Sequence, residues 1–535
     1  MVYYKLVFAA AFLPACLILY QLIPKKYRWV TLLLASVSFY STFSIPRILF
    51  PVSGAVIAYG IGLWLEHFAK KQDNELSLIQ GERDEVRSKK AEVRKKYTAK
   101  SRAVLILGIV LLVLIILFIK YTDFAIENVN AIFRGIGVER QFSPRNFILP
   151  LGISFYTLQA IGYLADVYWK KIPAQKNPLR LLLFLMFFPT IIEGPIAAYS
   201  QMSKSLYEGS PLDPDNIIAG YLRLGWGAMK KLVIADRLYP VVCWLYYKPN
   251  DAHGVQVIAA AVLFTVMEYM DFSGSIDMAL GCGRMFGIIL PENFKQPFLA
   301  KNASEFWRRW HISLGVWFKT YIFYPVSMST AARKWAKFSK GKVPVHFSKT
   351  VASAMALFPV WLCNGLWHGP KWSYIFYGMF YFVVILWEFA TEPLSDAILT
   401  RLKLNKEGKL VTVFRVLRTW IVIFLGELFF EANTVTDGFK LLGSMFRGFD
   451  LSILWNGSIL EWGMDKADWV IVLITLIVIG IVNMIREKGT DITGVLLAKP
   501  LAIRWAAGLA LILVILIFGQ YGPGFLEVNL IYAGF

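Results

Sequence analysis

Apolar runs long enough to span a bilayer recur along the whole chain. Ala103–Ile119 is unbroken by any polar residue, and Trp469–Val482 is nearly so. Each run is about the length that an α-helix needs to cross the hydrocarbon core. Charged residues make up 17% of the chain, whereas about a quarter is usual in soluble domains. The sequence therefore predicts an all-α, polytopic integral membrane protein with roughly ten to twelve helices and no soluble catalytic domain.

The net charge of +20 has two candidate explanations, nucleic acid and membrane topology. In a membrane protein, excess lysine and arginine reflects cytoplasmic loops and anionic lipid headgroups. We therefore expect membrane lipids, and no nucleic acid, as partners. The four cysteines are scattered without a Cys-X-X-Cys pair, so neither a disulfide framework nor a metal site is predicted.

Basic segments between the apolar runs predict the topology. Leu6–Ile23 lacks a clear cleavage site and is taken as the first crossing. Two basic segments, Lys25–Arg28 and Lys70–Arg102, fall on the same side, and both are cytoplasmic if the N-terminus is extracytoplasmic. We therefore predict an extracytoplasmic N-terminus. The organisation is N-terminal transmembrane helices over 1–68, a basic helical segment of mixed charge over 69–102 and a membrane core over 103–535.

Acidic residues within the apolar segments need partners, because an isolated charge at membrane depth is costly. Glu268, Asp271 and Asp277 lie within ten residues of one another. The candidate partners are Arg284, Arg308 and Arg309. Ion pairs that fix packing explain Asp271 and Asp277 at least as well as chemistry does. Glu193, beside a Gly-Pro break, is either structural or lines the site.

The segment around His311 is predicted to be one helix. Arg308, His311 and Lys319 then fall on one side of it, beside an aromatic side. Such a stripe suits an anionic ligand, for example the phosphates of acyl-CoA. An interfacial helix with basic side chains extended to the headgroups is an equally good explanation.

His368 lies in a Gly-Pro break between two predicted crossings. Val351–Leu366 rises from a basic loop, and sixteen residues climb about 24 Å, which puts His368 deep in the membrane or toward its outer half. A neutral imidazole there suits a general base acting on a hydroxyl. Asn364, one helical turn earlier, suits orientation of the ring or of an acyl oxygen. The alternative is a core histidine bonded to a carbonyl.

Four motifs carry a resemblance to a known family: Met270–Gly281 (MDFSGSIDMALG), Leu290–Phe294 (LPENF), Glu305–Leu314 (EFWRRWHISL) and Gly365–Gly369 (GLWHG). Together they resemble the membrane-bound O-acyltransferase (MBOAT) family, with the alginate O-acetyltransferase branch the most similar. The resemblance implies tilted and re-entrant helices around a central tunnel. It also implies an acyl donor entering from the cytoplasm and an acceptor hydroxyl reaching from outside. The family's two characteristic histidines correspond to His311 and His368.

The resemblance further implies transfer of an acyl group, acetyl above all, from acetyl-CoA to a cell-surface polysaccharide. The expected location is the cell membrane, and the expected partner is a separate extracytoplasmic transferase. The candidate catalytic residues are His368 and His311. The candidate substrate-binding residues are Arg308, Arg309, Lys319, Asn364 and Trp367. Three alternatives stay open: D-alanyl transfer from a carrier-protein thioester to teichoic acid, polysaccharide or lipid export without acyl chemistry, and a non-catalytic scaffold.

Overall fold

The computed structural model describes residues 2–247, 252–526 and 528–531, and the regular secondary structure within these ranges is entirely helical. The predicted all-α class is confirmed. The chain forms two compact units. The first comprises residues up to Gly220 together with Cys282–Pro291. The second comprises Tyr221–Gly281 and Glu292–Ile531, and it contains both candidate histidines.

The helices of the first 230 residues follow a short π-helical segment, Phe8–Phe12. They are α1 Leu13–Leu22, α2 Arg28–Ser41, α3 Leu49–Ser77, α4 Arg83–Lys120, α5 Thr122–Gly135, α6 Ile153–Tyr168, α7 Pro178–Met186, α8 Tyr199–Glu208 and α9 Pro214–Met229. Helices α3, α4 and α6 pack against one another. Their interface uses small residues: a β-carbon on Gly62 would press on the Tyr163 ring, and one on Gly108 would collide with Ile61 and Leu164.

The remaining helices follow a second π-helical segment, Lys230–Ala235. They are α10 Asp236–Tyr247, α11 Val255–Met285, α12 Ala303–Arg309, α13 Ile312–Phe318, α14 Tyr324–Ser327, α15 Thr330–Ser339, α16 Val345–His368, α17 Trp372–Arg401, α18 Lys409–Glu431, α19 Val435–Ser444, α20 Lys466–Glu487, α21 Ile492–Leu497 and α22 Leu501–Phe518. Helices α16 and α17 pack side by side, because a β-carbon on Gly365 or Gly378 would collide with backbone oxygens of the other helix. This contact fixes the end of α16, where His368 lies.

Seven helices in the described part of the chain are long and apolar enough to cross a membrane: α3, α4, α11, α16, α17, α20 and α22. The protein is therefore a multi-pass membrane protein, as predicted. The number is lower than the roughly ten to twelve helices expected, because other apolar segments form shorter helices. Phe8–Leu22 and α2 are examples.

The basic segment 69–102 is formed by two helix ends rather than by one helix. Helix α3 continues to Ser77, α4 begins at Arg83, and Gly81 in the turn between them has a φ of 136°. The two helices are joined through Glu75, which accepts a hydrogen bond of 2.6 Å from the Tyr97 hydroxyl and pairs with Lys96 at 3.2 Å. The prediction of a single helix is therefore wrong at this turn, where Gly81 has a backbone conformation that few residues adopt.

Candidate active site

The chain turns sharply at His311. Helix α12 ends at Arg309, His311 has the left-handed conformation (φ 45°, ψ 51°), and α13 begins at Ile312. The prediction of one continuous helix through His311 is therefore wrong. A residue other than glycine in this conformation is strained by about 1 kcal/mol or more, so neighbouring contacts must hold it.

Asn293 supplies those contacts. Its carbonyl oxygen accepts a hydrogen bond from the Ile312 amide at 3.0 Å, and its side-chain Oδ1 accepts from the amide and the hydroxyl of Ser313, both at 2.9 Å. The same Oδ1 lies 3.3 Å from Nδ1 of His311. Because Oδ1 can only accept, this bond assigns the hydrogen to Nδ1 and leaves a lone pair on Nε2.

The His311 ring is enclosed by aromatic side chains. It is 3% exposed, and its centroid lies 4.8 Å from that of Phe272 and 5.6 Å from that of Trp367. Burial lowers the pKa of His311 to about 3, since the charged ring loses its hydration. The imidazole is therefore neutral at physiological pH.

The predicted basic stripe is not formed, because the helix breaks at His311. Arg308 is exposed and donates to Ser304 at 2.8 Å. Arg309 pairs with both Glu305 and Glu487 at 2.8 Å. Lys319 is exposed and lies over the Tyr324 ring, 5.7 Å from its centroid. Their role in substrate binding stays a prediction, and for Arg309 the ion pairs provide a structural role.

His368 is the last residue of α16 and is 3% exposed. Its ring centroid lies 5.0 Å from those of Trp367 and Phe430, and 5.8 Å from that of Tyr377. Asn364, one turn earlier, is also buried, and its Oδ1 has no hydrogen-bond partner among the described residues. Aromatic walls and a nearby amide therefore surround this imidazole.

Trp367 connects the two histidines. Its indole contacts His311 at 5.6 Å and His368 at 5.0 Å, measured between ring centroids. Two histidines that are distant in the sequence thus share one neighbour inside the second unit. The site they define is a buried aromatic cage with two imidazoles.

The acids of α11 have partners, although not the predicted ones. Asp271 pairs with Lys231 at 2.5 Å, and Asp277 pairs with Lys230 at 2.6 Å. Lys231 also pairs with Asp236 at 2.8 Å, and Arg223 with Asp277 at 3.0 Å. Arg284, one of the predicted partners, instead donates to Asn216 at 3.1 Å. In the sequence, two adjacent lysines in an otherwise apolar stretch, Lys230 and Lys231, could have indicated these partners.

A polar recess lies beside the His311 turn. Its charged lining consists of Arg223, Lys230, Arg486, Asp277 and Glu292. Phe294 also lines it, and its ring packs edge-on against Trp310 and Phe272, each at 5.1 Å. Phe272 in turn contacts His311, so an aromatic layer separates the recess from this imidazole.

One carboxyl group that sequence reasoning did not place in the site, Glu427, is bonded to Tyr377, a neighbour of His368. Glu427 on α18 accepts a hydrogen bond of 2.8 Å from Tyr377 and interacts electrostatically with Glu268 on α11. In the sequence, Glu427 could have been singled out because it is a carboxylate within the apolar run Ile421–Phe430. Glu193 belongs to the first unit, where it is fully buried near Tyr3. Within the described ranges, no three histidine, cysteine or acidic side chains are grouped as metal ligands.

The fold and the site define a multi-pass membrane protein with a buried pair of imidazoles. The sequence profile of the membrane-bound O-acyltransferase (MBOAT) family matches residues 170–338 of this chain. The probable alginate O-acetylase AlgI of Pseudomonas syringae pv. tomato is 29% identical over 493 residues, which are 92% of this chain and 84% of that protein. The predicted resemblance to the membrane-bound O-acyltransferase family is confirmed.

Further relatives carry different activities in their names. The peptidoglycan O-acetyltransferase of Helicobacter pylori is 30% identical over 377 residues, 65% of this chain and 65% of that protein. The teichoic acid D-alanyltransferase of Bacillus subtilis is 29% identical over 246 residues, 45% of this chain and 59% of that protein. The protein is thus an O-acyltransferase, and the predicted enzyme class is confirmed.

Proposed function

We propose that the protein transfers an acetyl group from a cytoplasmic thioester, acetyl-CoA, to hydroxyls of an extracytoplasmic polysaccharide. The observation that carries the proposal is the pair of buried imidazoles, His311 and His368, in contact with one indole. Two relatives named O-acetylase or O-acetyltransferase support acetyl as the group transferred. The protein works in the cell membrane with its N-terminus outside, and a separate extracytoplasmic transferase passes the group to the polymer.

His368 acts as the general base. It takes the proton of the accepting hydroxyl as that oxygen attacks the thioester carbonyl. The aromatic walls exclude water and hold the ring in place. Asn364, whose buried Oδ1 has no bonding partner among the described residues, is available to the reacting groups.

His311 positions the donor. Its Nδ1 hydrogen is engaged by Asn293, so Nε2 carries a lone pair. A lone pair accepts hydrogen bonds, and the pantetheine arm of a thioester donor has amide N–H groups to offer. A neutral acceptor cannot stabilise a developing oxyanion. The geometry therefore favours positioning over oxyanion stabilisation for this histidine.

The recess beside His311 suits the donor's phosphates. It has three cations, Arg223, Lys230 and Arg486, against two carboxylates. Within the described chain, Arg486 has no carboxylate at ion-pair distance, and guanidinium groups bind phosphate well. An ion pair in the same unit supports a cytoplasmic location for the recess. Lys301 binds Glu407, in the basic α17–α18 loop, at 2.9 Å, and such loops are cytoplasmic by the positive-inside rule.

The first experiment measures radiolabelled acetyl-CoA turnover by the protein in nanodiscs. We expect His368→Ala to lower turnover by about 10²–10⁴-fold, the usual contribution of general-base catalysis. The matched control is His346→Ala, because His346 lies at the other end of the same helix and is only half-buried. It should retain wild-type turnover, and both variants should elute as a single species in size-exclusion chromatography.

Parallel reactions with a D-alanyl carrier-protein thioester test the alternative donor. This donor is considered because the Bacillus subtilis relative is named a teichoic acid D-alanyltransferase. Turnover of that thioester alone, with the same dependence on His368, would replace acetyl transfer by D-alanyl transfer. Acetyl-CoA turnover that is unchanged in His368→Ala would overturn the assignment of the general base.

A further inference from the structure

The segment 327–349, which contains the short helix α15, is an exposed and strongly basic part of the surface. It has no aspartate or glutamate. Its lysine and arginine side chains are all exposed, and they are Arg333, Lys334, Lys337, Lys340, Lys342 and Lys349. Within the described ranges, none of them has a carboxylate at ion-pair distance. Helix α4 differs, because it mixes both signs and pairs Lys89 with Glu85 at 2.6 Å. The positive charge of the α15 segment is therefore free for a ligand.

Helix α15 is held against the first turn of α16. The indole Nε1 of Trp335 donates to the carbonyl oxygen of Ser348 at 3.0 Å, and the hydroxyls of Ser339 and Ser348 are 2.7 Å apart. Helix α16 is long and apolar enough to cross a membrane. Its 24 residues extend over about 36 Å, slightly more than the ~30 Å hydrocarbon core, so its ends lie in the headgroup layers. A helix fixed to its first turn therefore lies at the membrane surface.

The two sides of α15 differ in charge. Arg333, Lys334 and Lys337 fall within about 100° of the helix circumference. Trp335 and Ser339, which contact α16, fall on the opposite side. The basic side therefore faces away from α16, toward the surroundings of the protein.

Large apolar side chains are exposed beside these cations. Phe338 is 57% exposed, Phe347 53% and Val345 71%. Lys342 lies over the Phe338 ring, 4.8 Å from its centroid. A free phosphate would pair with the cations but leave these apolar side chains in water. A phospholipid presents an anionic headgroup and acyl chains together, and basic helices with neighbouring aromatic side chains are typical of the membrane interface.

We propose that the basic side of α15 binds the phosphate groups of anionic phospholipids, with Phe338 and Phe347 against the adjoining part of the acyl chains. Each lysine or arginine near an anionic membrane surface strengthens such binding by about fivefold. The attraction extends over only about 8 Å at physiological salt, so it requires the position at the membrane surface that contact with α16 provides. The inference does not rest on the proposed function, because it concerns a lipid that the transfer reaction does not consume.

The test is titration of the full chain, in a non-ionic detergent, with dioctanoyl phosphatidylglycerol, followed by native mass spectrometry. The comparison ligands are dioctanoyl phosphatidylcholine, glycerol 3-phosphate and a polyglutamate peptide. We expect the wild type to bind phosphatidylglycerol most tightly of the four. The triple variant with Arg333→Gln, Lys334→Gln and Lys337→Gln should bind it about a hundredfold more weakly, with the affinity for phosphatidylcholine unchanged.

The matched control changes the net charge equally on α4, with Arg87→Gln, Lys90→Gln and Arg94→Gln. Arg94 is the nearest of the three to the apolar run that begins at Ala103, and about 13 Å of helix separates them. This control should keep the wild-type affinity for phosphatidylglycerol, and both triple variants should unfold at the wild-type temperature.

A double variant serves if the α15 triple variant does not fold. Lys340→Gln with Lys342→Gln lies beyond the end of α15 and should lower the affinity for phosphatidylglycerol by about twentyfold. Added salt should weaken the binding of phosphatidylglycerol and leave that of phosphatidylcholine unchanged, because only the former depends on charge.

Four outcomes would overturn the proposal. Equal affinity of the wild type for the two lipids would mean that acyl chains alone are bound. Equal affinity for glycerol 3-phosphate would make free phosphate the ligand, and tighter binding of polyglutamate would assign the surface to an acidic protein. An equal loss of affinity in the α4 control would mean that net charge attracts the lipid, without a site on α15.

Discussion

Helix α11 carries buried acids in two contrasting settings. Asp271 and Asp277 each meet a lysine at 2.6 Å or less, and both lysines come from the π-helical segment Lys230–Ala235. Glu268, one turn before Asp271, interacts electrostatically with another acid, Glu427. The same helix therefore carries two acids that are each paired with a lysine and a third that interacts with another acid.

The contrast separates packing from chemistry. An ion pair with good geometry offsets much of the loss of hydration, so Asp271 and Asp277 hold α11 to its neighbours. Two acids in contact repel each other and give α11 no such benefit. We infer that the two acids paired with a lysine, Asp271 and Asp277, hold the fold, whereas Glu268, which interacts with another acid, does not. The following variants test this distinction.

The largest expected effect is that of Lys231→Met. Lys231 lies between Asp271 and Asp236 and is buried. Its removal leaves two carboxyl groups without their cation, and breaking a buried pair in this way costs about 3–5 kcal/mol. We expect little folded protein, or a much lower midpoint of thermal unfolding in detergent.

The matched control is Lys440→Met, which removes a surface lysine paired with Asp437. An exposed pair contributes about 1 kcal/mol at most. Glu268→Gln should also unfold at the wild-type temperature. A destabilised Glu268→Gln protein, or a fully stable Lys231→Met protein, would break the distinction between the two settings.

The second effect is a pH dependence from His311, whose ring packs on Phe272 of α11. Burial lowers its pKa from 6.5 to about 3 in the folded protein. Between these values the unfolded chain binds more protons, so stability rises with pH. Acidification through this window should therefore lower the free energy of unfolding by about 1.4 kcal/mol per pH unit.

The measurement is thermal unfolding as a function of pH for the wild type and for His311→Gln, with His346→Gln, at a half-buried position, as control. The Gln variant at 311 should lose this part of the slope, and the control should keep it. Equal slopes in the wild type and His311→Gln would contradict the burial argument and would mean that His311 is charged or hydrated in the fold.

The sequence predicts some of these features and not others. Apolar run length predicts the long helices, because helix length depends on local periodicity. The depth of His368 in the membrane, obtained by counting residues from a basic loop, stays a prediction. The break at His311 depends on the side chain of Asn293, eighteen residues earlier. The partners of Asp271 and Asp277 lie some forty residues away. Contacts of this kind arise from tertiary packing, which single-chain patterns do not specify.

The third effect concerns the donor rather than stability. Arg486 lines the recess and has no carboxylate at ion-pair distance in the described ranges. Arg486→Gln should raise KM for acetyl-CoA by about tenfold, the value of one charge-assisted hydrogen bond to phosphate, and leave kcat unchanged. The measurement is the nanodisc assay at varied acetyl-CoA. Unchanged KM would exclude this recess as the phosphate site.

The smallest effect is expected for Glu292→Gln. This variant allows the exposed and the buried carboxylate partner of one arginine, Arg223, to be compared. Arg223 pairs with the buried Asp277 at 3.0 Å and with Glu292, whose side chain is 59% exposed, at 2.6 Å. Water already screens the exposed partner, so its loss should lower the free energy of unfolding by less than about 1 kcal/mol. Asp277→Asn, in contrast, leaves Lys230 buried without its carboxylate and should be several times more damaging. Thermal unfolding of the two variants side by side measures the difference. Equal destabilisation would mean that burial does not decide which acids of this cluster hold the fold, and the same result would remove the physical basis for treating Glu268 as an exception.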